Sequence, residues 1–536
     1  MSFKRAFFTV GGLTLLSRCT GFIRDLMAAN VLGAGMAADA FFVALRLPNL
    51  FRRLFAEGAF TISFVPLFAA ALKDGQEEAH SFAEEALALL MVVLLPFTLF
   101  MMLVMPWFMH IITPGYASDP VKFALAVDLS QITFPYLMLI SLSSLLGSIL
   151  NAVGRFGPYA SAPVAFNLVQ ILALIGWNEN ELVAAHAQAW AITVSGAVQL
   201  IWLAISAYRA GWAIKWRFPR MTERVRRLLR LIGPGALGGG VMQVNIFIDM
   251  ILASLLPAGA VSYLSYADRI YQLPIGVIGI AIGTALLPAL SRSVREGDPV
   301  KTLAEQNRAI EFGLYLGLPA AIGLAIIPEP ILAVMYERGA FTAEATHFTA
   351  WAVSAYALAI PAYMISKVLT VAFYAREDTK SPFLISLRTV FINSIAAFSF
   401  IQLFRLSGHE GIAHAGIALA TALTAWLNVA FLGYRLKQHG HFAVDAELTG
   451  KTLRVLFSAA LMGFVLWGLS VWLQPYYRGH SVFIEFGALG FLIAASAVTY
   501  LVAAHFSGAQ RLDEVKLLLR RRKGMPDTPP PDVTDG

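Results

Sequence analysis

The chain has very little thiol chemistry: one cysteine, Cys19, in 536 residues. A single cysteine can form neither an internal disulfide nor a cysteine-based metal cluster, and Cys19 reads as a small helix residue. Charge is scarce as well. Asp, Glu, Lys and Arg together make 14% of the chain, against about 25% in a soluble domain. No segment alternates apolar and polar residues as a strand does, which argues against an outer-membrane barrel. There is no Walker A loop, no H-E-x-x-H helix and no Cys/His ligand spacing. The ten histidines fall mostly in loops or near span ends. Nothing resembles a nucleophile–base pair or a nucleotide-hydrolysing domain. A transporter built this way needs an ion gradient or a membrane potential rather than ATP.

What the chain does have is apolar length. It is 58% hydrophobic, with a mean hydropathy of +0.68, and apolar runs long enough to cross a bilayer recur throughout. The reading is an all-α polytopic membrane protein. Hydropathy and breaker residues give fourteen spans: 6–29, 38–72, 82–109, 123–150, 158–177, 187–207, 231–255, 261–291, 312–327, 346–373, 382–404, 414–434, 455–473 and 483–506. Arg18 interrupts the first apolar run and no A-x-A-like cleavage site follows closely, so that run is a retained helix rather than a signal peptide. With both termini cytoplasmic, 28 of the 40 Lys and Arg residues fall in the even-numbered connections and tails. Four fall opposite (Lys122, Arg338, Arg405 and Arg478) and eight lie inside spans. That bias is the positive-inside signature.

The expected organisation is an N-terminal half over 1–207, a basic linker over 208–230, a second half over 231–437, two extra spans within 438–506 and a cytoplasmic tail over 507–536. The linker holds eight basic residues, which read as inside anchoring rather than a lipid headgroup site. The tail, with Arg520, Arg521, Arg522 and Lys523 before Pro529, Pro530 and Pro531, reads as a surface helix fraying into disorder. A weak internal repeat links the halves. Pro48 and Pro274, Pro135 and Pro361, and Asn167 and Asn393 are each separated by 226 positions. Parallel repeats of six spans place substrate between halves near the midplane.

The chemistry lies in misplaced charge. Arg18, Arg24, Arg46, Arg52 and Arg53 all fall in the first two spans, and each such charge costs about 2.5–3.5 kcal/mol at the centre of a membrane helix. Asp39, Arg46, Arg53 and Glu57 share one helix face, with Asn49 and Arg52 beside it. Arg18 and Asp25, seven apart, share another. Ion pairing of Arg18 with Asp25, Arg46 with Asp39 and Arg53 with Glu57 leaves Arg24 and Arg52 without a carboxylate in their own helices. Arginine's planar fork suits phosphate, so the excess points to a cavity for a phosphate-bearing substrate. Asp268 and Arg269 are expected to face the same space from the second half. Lys367 and Arg388 read as residues that can snorkel. Asp249, a lone acid in the seventh span, could be a cation site, a proton site or a structural acid. Gly233, Pro234, Gly235 and Gly238 to Gly240 mark a hinge candidate at the start of that span.

Ser17-Arg18-Cys-Thr-Gly21-Phe22-Ile-Arg24-Asp25, Asp39-Ala-Phe-Phe-Val and Leu47-Pro48-Asn49-Leu-Phe-Arg52-Arg53-Leu-Phe-Ala-Glu57-Gly58 closely resemble the bacterial lipid II flippase family, called MurJ or MviN. Thr133-Phe-Pro-Tyr136, Gly147-Ser-Ile-Leu-Asn151, Tyr266-Ala-Asp-Arg269 and Leu287-Pro-Ala-Leu-Ser291 extend the resemblance over essentially the whole chain. It implies the multidrug/oligosaccharidyl-lipid/polysaccharide exporter superfamily: two six-helix lobes around a central cavity, plus two C-terminal helices shaping a lipid-facing groove. It implies movement of undecaprenyl-pyrophosphate-linked disaccharide pentapeptide across the bacterial inner membrane by alternating access, for peptidoglycan synthesis and cell shape. Arg18, Arg24, Asp25, Asp39, Asn49, Arg52, Arg53, Glu57 and Arg269 would serve the substrate. Some members carry glutamate where this chain has Gln272. Some bind sodium, for which Asp249, Asn393 and Thr421 would serve here, with Ala397 standing where another polar ligand is expected.

No cofactor is implied; coupling would be to sodium, protons or membrane potential. The partners are lipid II and membrane lipids, with no nucleic acid. The alternatives are an exporter of drugs, organic cations or other polyprenyl-linked saccharides, or a polyprenyl-lipid enzyme. A cation cavity should be acidic, and the loop holding Asp74, Glu77 and Glu78 offers no convincing metal motif, so both rank below the flippase.

Overall fold

A computed structural model of the chain describes residues 3–53, 60–215, 217, 218 and 220–509. Glu57 and the arginine-rich tail stretch lie outside the described residues. All regular elements among the described residues are helical. In lipid, backbone amides find no water, so a spanning segment must satisfy them internally.

The chain begins with α1 (Phe3–Leu32), α2 (Met36–Arg52), α3 (Thr61–Asp74), α4 (Gln76–Ile112), α5 (Pro120–Thr133) and α6 (Tyr136–Ala152). It continues with α7 (Gly157–Gly176), α8 (Glu181–Arg209), α9 (Glu223–Ser254), α10 (Ala260–Glu296), α11 (Pro299–Ile326) and α12 (Pro328–Tyr336). Then come α13 (Ala343–Ala357), α14 (Ile360–Tyr374), α15 (Lys380–Leu406), α16 (His414–Gln438), α17 (Ala446–Trp472) and α18 (Val482–Phe506). The expected spans fall largely on helix among the described residues; the second, 38–72, is shared by α2 and α3, with residues 54–59 outside the described ones. Among the described residues, ten helical segments are long and apolar enough to cross a membrane. The arginine-bearing α1, α2 and α10 are not among those ten; α2, at 17 residues, is too short to be counted.

The fourth and tenth spans are helix pairs rather than single rods. Pro135 separates α5 from α6, and Pro361 sits in the first turn of α14, just after α13 ends. Proline lacks the amide that would continue the helix and clashes with the preceding turn. These are the repeat-related prolines, so the repeat marks the same break twice. Pro48 and Pro274 instead lie within helices. The glycine-rich start of the seventh span is helical backbone inside α9.

The chain divides into two compact units. The first comprises Met1–Gln272, Ile331–Ala359 and Thr379–Asn428. Its tight turn between α1 and α2 needs Gly33, whose φ is +63° and where a Cβ would collide with the Ala340 carbonyl. An aromatic ladder of Phe60, Phe64, Phe68 and Phe82 packs α3 on α4, with ring centroids 5.3–5.4 Å apart. The basic linker docks on that ladder: Trp212 lies edge-on to Phe68 and stacks on His80. Arg217 pairs with buried Glu84, and Arg224 with Asp74 and Glu78. Part of the linker's charge, expected to serve inside anchoring, is thus matched by acids of α3 and α4.

The second unit comprises Leu273–Pro330, Ile360–Asp378 and the chain from Val429 onward. The core of this unit joins Tyr315 of α11 to Val455, Ala459 and Met462 of α17 and Tyr500 of α18. The Tyr500 hydroxyl donates to the Tyr315 carbonyl at 2.6 Å. Asp445 caps α17 by accepting from the Leu448 amide at 2.6 Å, and it also accepts from Asn307 at 2.9 Å. These two hydrogen bonds, the Leu448 amide foremost, hold its carboxyl below the ordinary value of 3.8.

Asp445→Ala is expected to destabilise the protein by about 0.5–2 kcal/mol at pH 7, the usual cost of losing an N-cap. A depressed folded-state value means the stabilisation is full above pH 3.8 and fades below it, as Asp445 protonates. Thermal melts of wild type and variant should therefore converge as pH falls below that value.

Candidate functional site: an arginine–carboxylate cluster beside an aromatic pocket

Asp39 occupies the first turn of α2 with no solvent exposure. Its carboxylate accepts from the Gly259 amide at 2.8 Å and from the Ser262 amide and hydroxyl at 2.8 and 2.6 Å. These groups open α10, where amides lack intrahelical partners and the helix dipole favours an anion. Lys122 of α5 completes the site at 2.7 Å, itself 5% exposed, with its ammonium 4.2 Å from the centroid of the Tyr116 ring. Burial, with a smaller contribution from Asp39, pushes the Tyr116 phenol well above its ordinary value.

This corrects two expectations. Arg46 does not pair with Asp39; it donates to Ser265 at 2.9 Å. Lys122, read as a loop cation, is the buried partner. Asp39 is therefore closed within protein and does not line open space. Helical spacing put Asp39 and Arg46 on one face, but it could not show that α10 presents a serine to each.

The second group lies on α1. Arg24 does not point away from carboxylates: it binds neighbouring Asp25 through Nη2 at 2.6 Å and Nε at 3.1 Å. Arg18, expected to pair with Asp25, is exposed instead. Asn167 of α7 orients Arg24 by accepting from Nη1 at 2.9 Å, while donating to the Ser17 carbonyl and the Thr20 hydroxyl. Phe166 lies beneath the guanidinium at 5.6 Å. From α10, Arg269 approaches the other Asp25 oxygen at 3.6 Å with half its side chain exposed. Two guanidiniums thus share one carboxylate, and the Asp268 carboxylate also acts on Arg269. The neighbouring Asp268 accepts from Gln272 at 2.5 Å.

This cluster borders a small, partly open pocket of about 30 Å³, walled by Phe41, Phe42, Phe166 and Tyr266, with Gln170 and Gln188 behind. Phe42 meets Tyr266 edge to face at 5.1 Å. The Tyr266 hydroxyl is anchored on the Gly33 carbonyl at 2.9 Å. Of the other expected residues, Asn49 donates to the Leu45 carbonyl of its own helix at 2.8 Å. Arg52 is half-buried at the end of α2, and Arg53 is exposed just after it. Glu57 lies outside the described residues.

A third group forms around Asp249 of α9. Asn245 and Asn393 each donate to it at 3.1 Å, and Asn393 also donates to Asn245 at 2.9 Å. The expected ligands Asp249 and Asn393 do meet. Thr421 instead donates to the Ile417 carbonyl, and Thr424, one turn on, donates to Asn393 at 3.2 Å. Ala397 is fully buried. Among the described residues Asp249 makes no ion pair, and the amide nitrogens of Asn245 and Asn393 face its carboxylate; turned over, those amides would offer the oxygen donors that hard cations take.

The family described as lipid II flippase MurJ matches residues 28–487. A probable lipid II flippase MurJ from Rhizobium tropici is 42% identical over 532 residues, covering 98% of each chain. One from Rickettsia prowazekii is 33% identical, covering 94% of this chain and 98% of its own. A lipid II flippase MurJ from Burkholderia cenocepacia is 32% identical, covering 88% and 90%. Among solved structures, a lipid II flippase MurJ in an inward closed conformation aligns with a TM-score of 0.75 at 24% identity, covering 93% of this chain and 98% of that one. An inward-facing multidrug resistance MATE family transporter aligns at 0.65 and 15%, covering 80% and 94%. At such identities the two structures bear on the fold alone.

Lys122→Met leaves Asp39 buried with hydrogen-bond donors but no counter-ion. Removing one partner of a buried pair costs about 3–5 kcal/mol. Thermal unfolding should show a large loss for Lys122→Met, and less than the sum of the two single losses for Asp39→Asn combined with Lys122→Met.

Proposed function

The chain belongs to the lipid II flippase MurJ family, and we propose that Arg24 and Arg269 take the pyrophosphate of lipid II during its passage across the membrane. The protein is a membrane transporter, not an enzyme, and its activity serves peptidoglycan synthesis. The observation that carries the proposal is the sharing of Asp25 by Arg24 and Arg269 at the mouth of an aromatic pocket.

Asp25 acts as counter-ion in the empty protein. A pyrophosphate brings more acceptor oxygens and more charge than one carboxylate, and each guanidinium can meet it with two parallel donors. Asn167 and Phe166 keep Arg24 in the geometry that makes this exchange fast. Arg18, Arg52 and Arg53 extend the positive surface along the path, while the polyprenyl chain stays in lipid.

The transporter sits in the bacterial inner membrane with both termini in the cytoplasm, a placement the Lys and Arg distribution supports. Transport follows alternating access by the two six-span halves. Membrane potential gives it direction: an inside-negative potential moves an anionic headgroup outward downhill by about 2.3 kcal/mol per charge per 100 mV. Sodium at Asp249 and Asn393, with the Thr424 hydroxyl close by, supplies a second coupling, supported by the amide-lined setting of Asp249, which makes no ion pair among the described residues.

Arg24→Ala and Arg269→Ala are each expected to weaken lipid II binding roughly 10- to 100-fold, the worth of a hydrogen bond to a charged group. Arg24→Lys should not restore it, since the fork geometry is lost. Flipping assays in reconstituted vesicles measure this, and wild-type rates in both alanine variants would falsify the role. For the cation, sodium should raise the thermal midpoint of the wild type and leave Asp249→Asn unmoved.

A further inference from the structure

The pairing of Asp39 with Lys122 leaves Arg46 without the carboxylate that spacing offered it. Among the described residues Arg46 makes no ion pair, and its hydrogen bond goes to a neutral group, the Ser265 hydroxyl at 2.9 Å. That hydroxyl itself donates to the Val261 carbonyl at 2.6 Å, so it stays hydrogen-bonded when the guanidinium leaves. Asp249 is near enough to feel the Arg46 charge, but its carboxylate is taken up by Asn245 and Asn393. A cation inside a membrane protein, matched by a hydroxyl alone, is costly and calls for a functional reason.

Burial along α2 shows which way that charge faces. From 37 to 50 every residue is buried except Phe42, Leu45, Arg46 and Asn49, which are half-buried and recur at helical spacing. Half-buried Arg52 and exposed Arg53 continue the same face. The rest of the helix packs on α5, α6 and α8. Lipid would not accept an open face that carries three arginines and an asparagine, so this face borders an aqueous path. The path starts where Phe42 and Leu45 meet the Arg24–Arg269 cluster and runs toward the C-terminal end of α2. Arg46 stands one turn along it, about 6 Å beyond Phe42 and about 10 Å short of Arg53.

We propose that Arg46 is a further binding residue for the headgroup: its guanidinium leaves the Ser265 hydroxyl and takes an oxyanion of lipid II, a phosphate oxygen or a carboxylate of the peptide. This rests on the flippase reading, which supplies a substrate carrying both kinds of oxyanion. The exchange is favourable because a hydrogen bond to an anion is roughly twice as strong as one to a neutral hydroxyl. Ser265 is the resting partner, able to release Arg46 without exposing a charge of its own. Lys122 cannot act in this way, since its departure would strand the buried Asp39 carboxylate.

The test uses the full chain, purified in detergent, and two probes: lipid II, and undecaprenyl pyrophosphate without sugar or peptide. Arg46→Gln removes the charge and keeps a donor for Ser265; Ser265→Ala removes the resting partner and keeps the charge. Without lipid, Arg46→Gln should melt at or above the wild-type midpoint, because the charge it removes has no counter-ion. It should bind lipid II roughly 10- to 100-fold more weakly, the worth of a hydrogen bond to a charged group. Ser265→Ala should bind lipid II at least as tightly as the wild type, whereas a mere clamp between α2 and α10 would lose as much from either side. For Arg46→Gln, an equal loss on undecaprenyl pyrophosphate assigns Arg46 to the phosphates, and a loss confined to lipid II assigns it to the peptide carboxylates. Wild-type affinity of Arg46→Gln for both lipids, or an equal loss in Ser265→Ala, would overturn the role of Arg46; the flippase reading would stand as long as Arg24→Ala weakens both lipids. Failure of the wild type to bind either lipid would overturn both.

Discussion

The described architecture around the pocket depends on a carboxylate buried at a helix start. Asp39 meets two backbone amides, a hydroxyl and an ammonium at a site closed to solvent. Taken separately, each charge would be expensive in that setting. Together they fix three elements at once, since α2 supplies the acid, α10 the amides and α5 the lysine. With the start of α10 fixed against α2, Arg46 reaches Ser265, Tyr266 reaches the Gly33 carbonyl, and Arg269 comes to Asp25. The pocket and its charged border follow from that docking.

The repeat produces a second pattern. Asn167 and Asn393, separated by 226 positions, hold the charged groups of α1 and α9. Asn167 accepts from Arg24, whereas Asn393 donates to Asp249. The amide side chain can do either. One scaffold position therefore supports a cation in the first half and an anion in the second. That is the arrangement a protein needs if one half handles an anionic substrate and the other a small cation.

The helical plan was legible in the sequence because hydropathy and proline report it directly. The fourth and tenth spans were expected as continuous, and the structure interrupts each at a proline that the repeat had paired, Pro135 and Pro361. The arginines were legible as an anomaly, since charge in apolar sequence is rare. Their partners were not. Arg18 and Asp25 share a face by spacing, yet the flexible Arg24 side chain curls onto its neighbour instead. Lys122 looked like a loop residue because nothing local marks a lysine as buried; its partner lies 83 positions away. Thr424 was missed for Thr421 because one helical turn separates them, and only the neighbouring helix decides which hydroxyl faces Asn393.

One continuous helix, α10, carries the amides that hold Asp39 and, seven residues later, Arg269. Seven residues are two turns, a rise of about 10 Å. A rod that short does not bend independently at its ends, so the two contacts are thermodynamically linked. Any ligand that binds Arg269 more tightly in one setting of the helix must, by reciprocity, change the strength of the Asp39 clasp by the same factor. The loading of the pocket and the closure of the α2–α10 seam then belong to a single equilibrium, and the free energy of one can be read by measuring the other.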